Sequence, residues 1–287
     1  MKNYWLKFII LAFIGICLVR PIYSQTQASD SSFHPFHVNY WVTGGIITVS
    51  AVGLYLESGN TITKPAITNA EIINLNRDVI NSFDKWALKQ DPSKSGFYSN
   101  LSENLLTVIT LSPALMLFDK TIRQDWLDVL LMYLETMAIS NDVYVFSFLG
   151  PNYQNKFRPK VYYDAIPMDQ RTVGGNRNSF YSGHTASASA ASFFIAKVFT
   201  DYHPELGAYK YLVYTAAAIP PLILGYCRIR SLHHFPSDIL VGFGVGALCG
   251  IVVPEFHRLQ DKNISLGLFA SPEATGITLK WQPNILK

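Results

Sequence analysis

Cysteine is scarce: the 287 residues contain three, Cys17, Cys227 and Cys249. Cys17 falls in an N-terminal stretch that reads as an export signal, and the other two sit in apolar surroundings, so a disulfide framework is not indicated even in an oxidising compartment. Net charge is equally scarce, at +3, which gives no electrostatic signal for a nucleic-acid partner. There is no internal repeat, no low-complexity tract and no linker rich in Gly, Ser or Pro, and a single domain is the simpler organisation. What the chain does have is apolar residues. They make up 49% of it and mean hydropathy is +0.17, above the usual range of a soluble enzyme and below that of a protein made mostly of membrane spans.

At the N-terminus Lys2 and Lys7 precede an apolar run from Phe8 to Val19, and Ile22-Tyr23-Ser24 before Gln25 resembles a small-residue cleavage site. Residues 1–24 are therefore expected to be a signal peptide, with an uncleaved anchor helix as the alternative. Beyond it the pattern is helical. Tyr40 to Leu56 is apolar enough to cross a bilayer, and residues 72–86 carry an amphipathic stretch that reads as one helix whose Asp84 and Lys85 form a solvated face. Leu105 to Phe118 is short for a span. Trp126 to Leu149 is interrupted by Asp128, Glu135 and Asp142, which suits a helix packed within a bundle or one that does not cross throughout.

Three later helices are expected at Thr185 to Phe199, at Tyr211 to Tyr226 with a kink at Pro220-Pro221, and at Ile239 to Val253. The last carries Gly242, Gly246 and Gly250 at four-residue spacing; no strand precedes them, so tight helix packing is the stronger reading over a nucleotide loop. Alternating apolar residues between Asn263 and Trp281 fit a small hairpin.

Chemistry concentrates in three ordered blocks: Lys156-Phe157-Arg158-Pro159, then Ser182-Gly183-His184-Thr185, then Cys227-Arg228 followed by His234 and Asp238 at R-x5-H-x3-D spacing. Two imidazoles, two guanidiniums and a carboxylate supply what in-line phosphoryl transfer needs without a metal. His203 and His257, outside the blocks, read as structural, and so does His233, whose ring points away from that of its neighbour.

These blocks resemble the signature of the type 2 phosphatidic acid phosphatase superfamily (PAP2), which also includes class A acid phosphatases and vanadium haloperoxidases: K-x6-R-P, P-S-G-H and S-R-x5-H-x3-D. The chain departs from it in having Pro151 where the first lysine stands, Tyr181 for the proline and Cys227 for the serine. The resemblance implies an all-α bundle of the PAP2/haloperoxidase type, embedded in the membrane, spanning 25–258, with a short β-like tail at 259–287. It implies His234 as nucleophile, Asp238 as the group that orients it and His184 as general acid and then base. Arg158, Arg228, Ser182 and Gly183 would hold phosphate, with Lys156 standing in for the missing lysine. No metal or cofactor is expected. The expected activity is hydrolysis of phosphomonoesters, lipid phosphates foremost, with membrane lipid as partner and no nucleic acid. The site would face the periplasm or outside of a bacterial-type membrane. A soluble periplasmic acid phosphatase, a vanadate-dependent haloperoxidase and a non-catalytic head-group binder are the alternatives.

Overall fold

The computed structural model describes residues 33–57, 64–259, 264–270 and 275–281; the expected signal peptide lies outside the described residues. The long helices are α1 (Tyr40–Glu57), α2 (Ser95–Leu111), α3 (Trp126–Phe146), α4 (Gly183–Tyr202), α5 (Lys210–Arg230) and α6 (Pro236–Leu259). Helix α4 is the hub and packs against α2, α3, α5 and α6. Its buried face is built from small residues, among them Ala186, Ser189, Ala190 and Ala191, which let neighbouring backbones come close. The glycines of α6 meet that face. A Cβ on Gly242, Gly246 or Gly250 would lie 2.4, 2.1 or 2.5 Å from the carbonyl oxygens of Ser182, Ala186 and Ala190, so the four-residue repeat is a packing seam.

The charges that interrupt α3 are absorbed by neighbours. Glu135 pairs with His257 of α6 at 2.9 Å, Asp142 accepts from Ser50 of α1 at 2.9 Å and Asp128 accepts from Tyr40 at 2.7 Å. Helix α3 is thus packed within a bundle, the first of the two options its sequence left open. These pairs also set direction: α1 runs parallel to α3, its start beside the start of α3.

Among the described residues four segments are long and apolar enough to cross a membrane: Pro92–Phe118, Trp126–Phe146, Pro204–Arg230 and Pro236–Arg258. One of them corrects the sequence reading. The segment at 105–118, read as short for a span, is the second half of a longer one, because α2 starts at Ser95 and continues into a tight turn at Ser112–Phe118. Helix α5 runs through Pro220-Pro221 without a break, and neighbouring helices can re-satisfy the carbonyls that proline leaves free.

The amphipathic helix expected at 72–86 is absent. In its place are a short helix, Asn69–Ile73, and tight turns at Arg77–Val79 and Asp84–Lys89. The side chains of Asn76 and Asn81 accept from the amides of Asp78 and Asp84, at 2.8 and 2.9 Å, and this local bonding competes with helix propagation. At the C-terminus Ile264–Ala270 pairs antiparallel with Thr275–Trp281, in register from Ile264 opposite Trp281 to Ala270 opposite Thr275, as the alternation predicts.

The seam makes a paired prediction. Gly246→Ala forces a methyl into the backbone of α4 and should destabilise the detergent-solubilised protein by about 1–3 kcal/mol. Gly244→Ala, which meets nothing within 4 Å, should be neutral or stabilise by up to about 1 kcal/mol. Thermal unfolding of the two variants side by side checks this, and equal midpoints would contradict the seam.

Candidate active site

All three blocks converge at one end of the bundle. After α5 the chain reverses at Leu232, which takes a left-handed conformation at φ 62°, and so sets His233 and His234 between α5 and α6. The His234 ring is 2% exposed and its Nδ1 lies 2.6 Å from the backbone oxygen of Ser179. A carbonyl can only accept, so Nδ1 carries the proton and Nε2 keeps a free lone pair. Burial, then the charges of Arg158 and Arg228, hold the pKa of His234 well below the ordinary value. The imidazole is neutral at physiological pH and has the tautomer of a nucleophile.

Asp238 was expected to orient His234 directly, but its Oδ2 stands 3.9 Å from Nδ1, beyond hydrogen-bond reach. Ser179 takes its place. Asp238 Oδ2 accepts from the Ser179 hydroxyl at 2.6 Å and the Phe235 amide at 2.9 Å, so the carboxylate acts on His234 through the residue whose carbonyl receives the ring proton. Its Oδ1 accepts from Lys156 Nζ at 2.7 Å.

That last bond corrects the expected role of Lys156. The ammonium also bonds Asp84 at 3.2 Å and Ser237 Oγ at 3.0 Å, which uses its three donors and leaves none for phosphate. Asp84 is corrected with it. Instead of lying on a solvated face it is 2% exposed, accepts from the amide and hydroxyl of Ser237 at 2.9 and 2.7 Å, and caps the first turn of α6.

The second block forms the start of α4. Ser182 is the N-cap: its buried hydroxyl accepts from the Thr185 amide at 3.4 Å and pairs with the Thr185 hydroxyl at 3.0 Å, and its own amide donates to the backbone oxygen of Asp238 at 3.1 Å. The Ser182 amide is thus taken, and its hydroxyl is buried against Thr185. The amides of Gly183 and His184, first in the helix, have no intrahelical acceptor and sit at the positive end of its dipole. A Cβ at Gly183 would crowd the Tyr144 ring, at 3.1 Å.

Arg228 is 3% exposed. Its Nη1 donates to Ser102 Oγ and Glu103 Oε1, both at 3.0 Å, and its buried Nε has no partner among the described residues. Arg158 is anchored by its backbone to Asn176 at 2.8 Å. Among the described residues no three His, Cys, Asp or Glu side chains are grouped to hold a metal.

The cluster therefore presents a neutral, oriented imidazole beside converging cations, and residues 129–262 match the family model of the PAP2 superfamily. Over those residues the chain resembles that superfamily. Among PAP2 relatives it is 27% identical over 164 residues to the lipid A 4'-phosphatase of Porphyromonas gingivalis, covering 56% of this chain and 65% of that one. It is 33% identical over 80 residues to phosphatidylglycerophosphatase B of Bacillus subtilis, covering 28% and 39%. The chain thus spans less than two thirds of either curated relative. A solved transmembrane PAP2 type phosphatidylglycerolphosphate phosphatase from Bacillus subtilis aligns with TM-score 0.41 at 20% identity, over 76% of this chain and 96% of that one.

Two residues outside the PAP2 blocks join the cluster. Glu103 bonds His184 Nε2 at 2.9 Å; it is the one charged residue between Ser95 and Phe118, and a charge isolated in an apolar helix is a signal the sequence did offer. Lys160 donates its amide to the Leu232 carbonyl at 3.1 Å, which ties it to the turn that carries His233 and His234. Its ammonium makes no hydrogen bond or ion pair among the described residues, and burial, then Arg158 and Arg228, lower its pKa. Nothing in the block pattern points to it, since the family lysine is sought upstream of Arg158. His233 bonds Ser231 Oγ at 2.9 Å and is pushed down to about 2 by burial and Arg228. His203 is fixed by Asp119 and Glu205 at 3.0 and 2.7 Å, and His257 by Glu135.

Because Lys156 is the cation paired with two buried carboxylates, Lys156→Met should be a stability variant: a loss of about 3–5 kcal/mol is expected from stranding buried charge. Chemical denaturation measures it. A variant as stable as the parent would return Lys156 to the pool of phosphate ligands.

Proposed function

We propose that the chain is a phosphoric monoester hydrolase acting on lipid phosphates at a membrane, through a phosphohistidine intermediate on His234. The observation that carries the reading is the Nδ1 bond to the Ser179 carbonyl, which leaves Nε2 as a neutral lone pair beside Arg158 and Arg228. In the first step the Nε2–P bond forms as the P–O ester bond breaks. The electron pair leaves with the ester oxygen, which takes a proton from His184. In the second, neutral His184 takes a proton from water as the oxygen attacks phosphorus and His234 is released. Arg158, Arg228, Lys160 and the amides of Gly183 and His184 hold the remaining phosphate oxygens.

A lipid substrate is supported by four helices able to cross a membrane, all with one end at this cluster, and by two relatives named for phosphatidylglycerophosphate and lipid A. Neither the soluble acid phosphatase nor the haloperoxidase reading has a comparable observation behind it. The catalytic bundle would occupy 25–258 and the tail 259–287. The site would face outward, which places the start of α1 on the inner face. Cleavage at Ser24 and an outward site are compatible only where α1 does not complete a crossing.

Purified protein should release phosphate from lipid phosphates in mixed micelles, in EDTA as well as without it, and lose that activity in vanadate. His234→Ala should abolish turnover of every phosphomonoester, and phosphohistidine trapped in His234→Ala would overturn the nucleophile assignment. Lys160→Met should raise KM about tenfold or more, as expected when one charge-assisted contact is lost, with little change in unfolding; unchanged kinetics would remove it from the phosphate site. For orientation, a cysteine at Ser93, in the exposed turn at the site end, should be labelled by an impermeant maleimide in intact cells. Labelling only after lysis would turn the site inward.

A further inference from the structure

Glu103 poses an electrostatic problem for the proposed phosphatase. Its carboxylate sits where a phosphate dianion is to be held and would repel it, yet Oε1 lies 2.9 Å from His184 Nε2 and 3.0 Å from Arg228 Nη1, and Oε2 lies 3.1 Å from the same imidazole nitrogen. Anchoring Arg228 does not by itself require it, because the same Nη1 donates to the buried Ser102 hydroxyl at 3.0 Å. What Glu103 alone does is touch the ring of His184.

We infer that Glu103 is a positioning residue for the general acid: it accepts the Nε2 proton of His184, favours the imidazolium form among the surrounding cations, and leaves the Nδ1 proton for the departing ester oxygen. The inference rests on the phosphatase reading. The groups around His184 make the need plain. Arg228 comes from α5, Arg158 and Lys160 from the segment after α3, Tyr144 from α3 itself, and His233, His234 and Asp238 from the turn into α6. Asp238 is already matched to Lys156. Burial and then Arg228 drive the His184 pKa down, with Arg158 adding to them, while the bond to Glu103 and its charge pull the other way. An imidazole left with the guanidiniums alone would be deprotonated and unable to protonate an alkoxide.

The sign of the test follows. A general acid must be protonated, so the rate on an alkyl or lipid phosphate falls as pH rises through the His184 pKa. Removing the Glu103 charge lowers that pKa and moves the falling limb to lower pH. With p-nitrophenyl phosphate, whose phenolate leaves with little protonation, the limb matters less. Glu103→Gln should therefore lose at least about tenfold in kcat on a lipid phosphate at neutral pH, with a limb displaced to lower pH, and lose clearly less on p-nitrophenyl phosphate. Glu103→Asp, which keeps the charge, should recover the limb in part, and it supplies the readout if Glu103→Gln does not fold. Equal losses on both esters with an unmoved limb would reduce Glu103 to a structural role and overturn the inference. A gain on both would also overturn it, by showing the carboxylate to be a plug. Wild-type protein inactive on both esters would instead remove the phosphatase reading itself.

Discussion

The Asp238 carboxylate is fully buried, and a buried carboxylate without partners is costly enough to reorganise whatever surrounds it. Its partners come from the first and third sequence blocks and from the residues just ahead of the second. Lys156 belongs to the first, Ser179 lies just ahead of the second, and the Phe235 amide belongs to the third; the Ser182 amide adds a bond to the Asp238 backbone oxygen. Satisfying one charge therefore assembles the site. It also fixes Ser179, whose carbonyl sets the tautomer of His234. Asp84 extends the same arrangement, since it shares Lys156 with Asp238 and caps α6 through Ser237.

This network divides the charges of the site into two groups with different fates. Lys156 is shared between Asp84 and Asp238. Of Arg158, Arg228 and Lys160, Arg228 is paired with Glu103, which is half exposed where Asp84 and Asp238 are sealed. Like charges held together in a partly buried pocket raise the free energy of the empty protein and are relieved by a bound dianion. The unpartnered Nε of Arg228 belongs to the same pattern.

The sequence made legible what local spacing encodes. R-x5-H-x3-D names His234, Arg228 and Asp238, a helix begins at the second block, and the four-residue glycine repeat of α6 is a packing seam as expected. It misled where pairing is long-range. Lys156 and Asp84 are 72 residues apart, and neither's neighbours in sequence hint that each neutralises the other. Lys160 was passed over because the block pattern looks upstream of Arg158, whereas the fold draws on the turn downstream. The 72–86 segment had helical spacing of apolar residues, but Asn76 and Asn81 bond their own backbone and break it.

The bundle inverts the usual distribution of polarity. Exposed positions on α2, α5 and α6 are apolar, as at Val108, Leu111, Leu212, Ile219 and Leu248, while Glu135, His257, Lys197 and Ser140 are buried. Each buried charge is paired within the bundle: Glu135 with His257, and Lys197 with Asp201 and Glu255. That is the arrangement expected when the solvent is hydrocarbon, since an exposed ion would be stranded there and an exposed leucine would not. It also explains why mean hydropathy sits between the soluble and membrane ranges. The polar residues counted against a membrane protein are here inside it, tying α3, α4 and α6 together at the end away from the site, while the same helices leave the blocks at the opposite end free to collect positive charge.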